Sequence, residues 1–584
     1  MRKFAAAAWK FLCHQSHLRA VRDQRSANAW LFEFFQTAVP AGGVAPVESL
    51  ETRRMLSITP SLSAGKVTFA SSNDADLYLR SNAGVLEYSE TGSSWSSDLD
   101  ASASGINTLS LTSGVTVDAQ FEGTMRLQQI LTGGGAFTVN TLSNVSVNGN
   151  LITSGGAASI TTTGDFTLSG AHLISTRRIG LATDHSIAAS TGNSGKITLR
   201  GQHLTLASGS YVLAQGTGAF TSGAIEVIAA ESASSSLLGS LNQWTKTADS
   251  AITTNATIKG GAVKLYSVAT TDADFNDNTS EYGLDGEVPP STFNVPDAMK
   301  GITAFIGLSI AKSTSVITIG SGSNIIASVI DVQSGAQTEA RVLTTAKEKQ
   351  LAFALGMSTP TARIDVQRGA NLSSSGDLSL NSIANSTVSV SAKRGLLGPA
   401  KSDANQSVTI AASVGDIESN VNVAAGASLN SDSGSVTVKA KMVKDHNTGA
   451  SAGAYEDGTF GAALAVSLSE SDTTAEMDGM ATAGQNVSVL AESLSNRVDT
   501  STSSGVGSGL GARLVLGVKG AAGSAASTTA SKQPDQNPKA GGARKLAVSA
   551  AFTYAEDTNN AVARVGNGAT AIAKNGDLRV DSTV

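Results

Sequence analysis

The stretch that decides the fold is Ser433–Lys441, SGSVTVKAK. Val436, Val438 and Ala440 share one parity, and Thr437, Lys439 and Lys441 share the other. Strict alternation of this kind belongs to a strand with one face against a core and the other against water. The same design recurs along the chain. GDFTL puts Phe166 and Leu168 on one face, and GKITLR sets Ile197 and Leu199 against Lys196, Thr198 and Arg200. GAIEV carries Ile225 and Val227, GDLSL carries Leu378 and Leu380, and GDLRV carries Leu578 and Val580. Each run opens on a glycine, which reads as a corner needing positive φ.

Gly164, Gly195 and Gly223 start three of these runs at a spacing of about 30 residues, in the range of stacked repeat units. A longer module follows: an apolar strand, a polar strand, a Gly-Ala type turn and a Gly-headed strand. Copies occupy Thr361–Ser382, Ser419–Ala440, Thr474–Ser493 and Asn560–Ser582, with a looser one at Ser315–Ser334. One such coil cannot bury its apolar face alone. Stacking coils buries that face and pairs backbone groups in parallel ladders. The expected fold is therefore all-β, an elongated parallel β-solenoid (a β-helix), with inward Val, Ile and Leu and outward Thr, Ser, Lys and Asp. A string of antiparallel β-sandwiches is the rival.

Composition points the same way. The 584 residues include 60 Gly, 10 Pro, 5% aromatic and 15% charged residues. The charged fraction is low against about 25% in ordinary soluble domains. Few aromatics argue against a conventional thick core. The net charge of −6, with no basic run after Arg54, leaves the body no stripe for nucleic acid. The one cysteine, Cys13, excludes an internal disulfide framework. No run reaches the 18 or so apolar residues of a membrane span. The longest, Ile302–Ala311 (ITAFIGLSIA), reads as core.

Residues 1–57 differ from the rest. MRKFAAAAWKFL resembles a signal peptide, but Lys10 interrupts it and HQSH follows. Arg19, Arg22 and Arg25 at helical spacing and the cluster Trp30–Phe35 predict a partly helical or disordered segment, broken by Pro40, Gly42, Gly43 and Pro46. The organisation expected is 1–57 as a targeting segment, 58–240 as β-rich entry and first coils, 241–300 as an irregular excursion and 301–584 as repeat solenoid. Three stretches interrupt the pattern: Asp272–Pro296 as a loop, Val342–Leu355 as a short helix or strand pair, and Ser531–Lys545 as a polar loop.

Sites for chemistry are sparse. His14, His17, His172, His185, His203 and His446 are scattered and read as solvated surface residues. Asp272–Asn278 (DADFNDN) alternates oxygen ligands as calcium loops do, yet Asp277 and Gly283 stand where an EF-hand needs Gly and Glu. The glycine-rich Gly505–Gly520 lacks GKS or GKT and reads as a strand pair. Dispersed carboxylates give a β-helix polysaccharide lyase or hydrolase nothing to converge on. No catalytic, cofactor or metal residue is nominated.

Two resemblances carry functional expectations. Leu50-Glu51-Thr52-Arg53-Arg54-Met55-Leu56-Ser57, after Glu48, resembles the LEPR-XLL motif of very large bacterial exported proteins, departing at Thr52 and Met55. It implies that Leu50, Glu51, Arg53, Arg54, Met55 and Leu56 form a sorting signal read by export machinery. Ile306–Ile325, Gly461–Gly479 and the Gly-Asp-Leu units resemble the repeats of leukotoxin-type filamentous adhesins, which are similar in style to filamentous haemagglutinins. This implies a secreted or cell-surface, non-catalytic adhesin or scaffold that binds a glycan or protein. The chain ends inside a unit at NGDLRVDSTV, which reads as a piece of a longer product.

Overall fold

The computed structural model describes residues 58–584 apart from 72–74, 101, 178, 182–186, 190–191, 217–219, 235–244, 277–302, 347–349, 395–406, 455–459 and 507–547. These residues form a parallel β-solenoid. Its strands, apart from the antiparallel pair Ile179–Leu181 and Ile187–Ala189, lie in three stacked sheets, here A (13 strands), B (12 strands) and C (10 strands). Each coil visits A, then B, then C, and the next coil lies on top of it. In one coil these are Val329–Ala346, Gln350–Val366 and Asn371–Ser374. No α-helix occurs among the described residues, and none is long and apolar enough to cross a membrane.

Coil-on-coil pairing places like residues over like. Val332 pairs with Leu380, Leu380 with Val438 and Val438 with Val489, all buried. Phe166, Leu168, Ile197, Leu199, Ile225 and Val227 are buried as their parity predicts. Leu578 and Val580 keep the same phase but are exposed, because they belong to the last described coil. The first end is closed differently. Thr59–Ser63 folds back antiparallel on Lys66–Ala70, and Val85–Ser89 on Leu77–Asn82. These hairpins end sheets A and B, and Leu86, Leu99, Leu109 and Leu111 close the core beneath them.

The glycine heads act by close approach rather than by positive φ. A Cβ at Gly223 would collide with the carbonyl of Gly195, and one at Gly195 with that of Gly156. Positive φ is found instead at the Gly-Ala turns between B and C, at Gly369 (84°), Gly426 (82°) and Gly568 (84°). Gly164 is not equivalent to Gly195 and Gly223. Phe166–Leu168 belongs to sheet B, whereas Ile197–Gly201 and Ile225–Ser234 belong to sheet A.

Coils lengthen along the stack. Stacked partners are 22 residues apart at Asp118 and Asn140, and 48 apart at Asp331 and Ser379. The added residues go to A and B, whose strands grow from Val115–Gln120 (6 residues) to Val487–Val506 (20 residues), while the later strands of C stay at 4. The extra length makes a two-layered blade of A on B that runs beyond the three-sided core. Val342–Leu355 is accordingly the end of one A strand and the start of the next B strand. Asp272 and Asp274 lie on the strand Ala262–Asn276 with Ala273 inward, which corrects the reading of a loop from Asp272: the stretch begins as strand.

The blade's interior is thin. Its inward positions are mostly small: Ala352, Ala354, Gly356, Ser358 and Ala362 on one B strand, and Ser382, Ala384 and Ser386 on the next A strand, with Pro360, Val388 and Val390 the larger inward residues of these two strands. A column of serines joins the layers where the blade meets the core. Ser315 Oγ lies 2.9 Å from Ser334 Oγ and donates to the Ser267 carbonyl at 2.8 Å. Ser382 Oγ donates to the Ala362 carbonyl at 2.8 Å, and Ser419 Oγ to the Ser382 carbonyl at 3.1 Å. A hydroxyl that reaches the backbone of the facing layer holds the two sheets closer than the ~10 Å usual for sheets packed through large side chains.

Candidate interaction surface

A thin interior has a consequence for the outside. With small residues inward, the large apolar residues of sheet B occupy the alternate, outward positions. Four columns show it. Leu308, Leu355, Ala412, Val466 and Tyr554 stack in register, as do Ile310, Met357, Val414 and Leu468. Phe353, Ile410, Leu464 and Phe552 form the third, and Leu351, Val408, Ala462 and Ala550 the fourth. All are half-buried by their neighbours or exposed, while Ser309, Ala311, Ala354, Ala411 and Ala465 between them are buried. Leu308 and Ile310 of ITAFIGLSIA are therefore not core: they point outward, and Ser309 and Ala311 point in.

The opposite face of the blade, on sheet A, is polar. Gln333, Asn381 and Lys439 stack in one column, and Glu339, Thr387 and Asp445 in another. Charges there are paired between or along coils: Lys439 Nζ lies 2.6 Å from Glu492 and Ser379 Oγ 2.8 Å from Asp331. Tyr266 also donates to Asp331, and burial together with that carboxylate pushes its phenol above the usual range. Lys196 and Glu226 make a similar rung-to-rung pair at 2.6 Å on earlier coils.

The ionisable groups that are buried face the thin interior. Lys444 Nζ donates to Asp557 and Asn559, and lies 3.4 Å from Ser469 Oγ. Burial lowers the Lys444 pKa, and the Asp557 carboxylate opposes that shift. His446 is fully buried, which corrects its reading as a surface histidine. Burial first, and then the Lys444 charge, push it down to about 4, so the ring is neutral at pH 7. Its Nε2 is 2.9 Å from Ser386 Oγ, and Ser386 Oγ is 2.6 Å from Ser358 Oγ, which meets Thr338. A serine beside an imidazole has the spacing of a nucleophile and base. Both lie inside the blade, however, and the hydroxyl is tied into a relay between sheets. The hydroxyls of the group satisfy one another and the ring's Nε2, while His446 Nδ1 is buried without a hydrogen-bond partner. Gly415 makes room for it, since a Cβ there would collide with the His446 ring.

Elsewhere, His203 Nδ1 sits 2.7 Å from Asp165 on the outer surface, and His172 is half-buried. His14, His17 and His185 lie outside the described residues, as do Leu50, Glu51, Arg53, Arg54, Met55 and Leu56 and nearly all of Gly505–Gly520. The excursion beyond Asn276 and the polar loop 531–545 lie outside them too. No group of three or more His, Cys, Asp or Glu able to hold a metal occurs among the described residues. A depression at the corner of C and A is lined by Asp432, Ser433, Gly484, Gln485, Asn486 and Asn575. No family model matches the chain, and no curated protein is similar to it in sequence.

Proposed function

We propose that the protein is an exported, elongated, non-catalytic adhesin or cell-surface scaffold. The observation that carries this reading is the blade itself. Its in-register strands offer two broad outward faces of opposite character, while Lys444, His446 and Ser386 are spent on holding its layers together. Such a surface works by contacts repeated from coil to coil, which gives avidity without a deep pocket. The ligand class is a glycan or a protein, met by the polar A face of the blade. In the same reading Leu50, Glu51, Arg53, Arg54, Met55 and Leu56 are the sorting signal, recognised by export machinery before the solenoid folds.

Deleting residues 47–57 and fractionating the producing cells tests export. Retention inside the cell is expected, and undiminished export would return the segment to a plain linker. Binding of the purified protein to glycan arrays and intact cells tests adhesion, and a screen with no hits counts against it. Shortening of a polysaccharide on incubation with the protein would replace this reading with an enzymatic one.

A further inference from the structure

We propose that Lys444 and Asn559 condense inside the blade to an isopeptide bond, with Asp557 moving the protons. The three residues stand where other coils carry smaller groups. Thr271, Thr338, Ser386, Lys444 and Ser495 stack in one column of sheet A. Gly415, Ser469 and Asp557 stack in sheet B, and Ser471 pairs with Asn559 beside them. Lys444 is fully buried, and its amine crosses from the A strand Val436–Ala454 to the B strand Val548–Val565 of the next coil. The A ladder slips register between Lys444 and Asp445, an irregularity of the kind that re-aims a side chain. A buried ammonium needs a counter-charge, and Asp557 supplies it. Asn559 is the part that a simple ion pair does not need.

Both polar atoms of the Asn559 amide are held. Its Oδ1 accepts from Lys444 Nζ and, at 2.6 Å, from Ser471 Oγ. Its Nδ2 donates to Asp557 Oδ2 at 3.2 Å and lies 3.5 Å from Ser495 Oγ. Asp557 Oδ1 in turn accepts from Lys444 Nζ. The carboxylate therefore touches both the attacking nitrogen and the leaving one. The amide carbon lies one C=O bond, ~1.2 Å, beyond Oδ1. Rotation at the end of the lysine brings Nζ onto it at a near-attack distance of ~3–3.5 Å. Burial favours the neutral amine that such an attack requires. Asp557 takes a proton from the ammonium, and the freed electron pair forms the bond from Nζ to Cγ. The Ser471 hydroxyl donates to the oxyanion that results. The Cγ–Nδ2 bond breaks as Asp557 passes the proton to Nδ2, and ammonia leaves. A second proton from Nζ follows it through the same carboxylate. Lysine ammonium and asparagine amide thus become one secondary amide and an ammonium ion, with no oxidant or further reactant.

The bond joins the A layer of one coil to the B layer of the next and ties residues 115 apart in sequence. Closing so long a loop takes conformational freedom chiefly from the unfolded chain. In a solenoid, it fastens two units that otherwise share only nearest-neighbour contacts. Condensation leaves no ammonium at Lys444, so the charges of this pair are studied in Asn559→Ala, which keeps both ions and lacks the acceptor.

The test is a tryptic peptide map of the full chain after folding at neutral pH. Trypsin does not cut after an acylated lysine. The expected product is peptide 442–497, uncut at Lys444 and joined to 546–564, at the sum of their masses less one ammonia. Asn559→Ala should lose this product. Asp557→Ala, folded by circular dichroism, should form it roughly 100-fold more slowly, the usual worth of a positioned acid–base group. Peptides 445–497 and 546–564 recovered separately and in full from the parent overturn the proposal. So does an ammonia loss confined to 546–564 with no second peptide attached, which is a succinimide. The parent map decides the bond whether or not the variants fold. Unchanged linking in folded Asp557→Ala overturns the role given to Asp557.

Discussion

Leu380 and Leu355 look alike in the sequence, since each is an apolar residue in an alternating strand, but the structure gives them opposite surroundings. Leu380 is fully buried, stacked between Val332 and Val438. Leu355 faces outward and is only half-buried. Truncating Leu380 to Ala removes three carbons from the core, about 2.4 kcal/mol at ~0.8 kcal/mol each. The ladders on both sides prevent collapse into the hole, which brings the cost to about 3–4 kcal/mol. Leu355→Ala loses only part of a side chain's burial, and the expected cost is under ~1 kcal/mol. A solenoid unfolds coil by coil rather than all at once, so a single melting temperature is the wrong observable. Hydrogen exchange read by peptide is the right one, in protein dilute enough to be monomeric. A loss of 3 kcal/mol speeds exchange by roughly 100-fold or more, in the strands Val329–Ala346, Leu378–Arg394 and Val436–Ala454. For Leu355→Ala the acceleration stays below about fivefold. Equal effects of the two substitutions would refute the reasoning, because they would place Leu355 in a core.

Glycine supplies a second contrast: Gly195→Ala forces a Cβ into the Gly156 carbonyl and should cost more than ~2 kcal/mol, whereas Gly335→Ala meets nothing nearer than 3.9 Å and should stay within ~1 kcal/mol of the parent, both read by hydrogen exchange of the local peptides. The pH dependence follows from His446. Its pKa falls from 6.5 unfolded to about 4 folded, so between those values the unfolded chain binds a proton that the folded chain refuses. Stability therefore falls as the pH drops through that window, by about 3 kcal/mol in all, and His446→Gln should remove this part of the acid limb in stability measured from pH 7 to 4. Asp557→Asn strips the buried Lys444 ammonium of its counter-charge and should cost about 3–5 kcal/mol in the last coils, whereas Lys444→Met removes the buried charge itself and should cost less, both read by hydrogen exchange. Gly415→Ala should destabilise through the His446 ring, and adding His446→Ala should recover part of that loss in the same assay.

Much of the solenoid was legible because alternation around Val436, Val438 and Ala440 survives into the stacked ladders without a shift of phase. The module copies were legible for the same reason, since each carries the end of a B strand, a glycine-containing turn, a C strand and the start of an A strand. What misled was the assumption that the larger apolar residue of an alternating pair goes inward. It holds where three sheets enclose a wide core and fails in the blade, where two sheets lie too close for Leu or Phe. The signal was present. Counting back by twos from Ile319 and Ile317 gives Ser315, Ser313, Ala311, Ser309 and Gly307, the true inner face. The same count from Val436 reaches Lys444 and His446, which shows why two polar residues are buried. The glycine heads were found but given the wrong reason, because close approach between coils is a tertiary fact that no single repeat reveals.

The measurement that bears most directly on this inside-out blade is the thiol reactivity of single cysteines placed in turn at Leu351, Ala352, Phe353, Ala354 and Leu355, in a Cys13→Ser background and dilute protein. The structure predicts fast labelling by a small maleimide at 351, 353 and 355, and slow labelling at 352 and 354. The opposite alternation would put the large apolar residues inside and contradict the account.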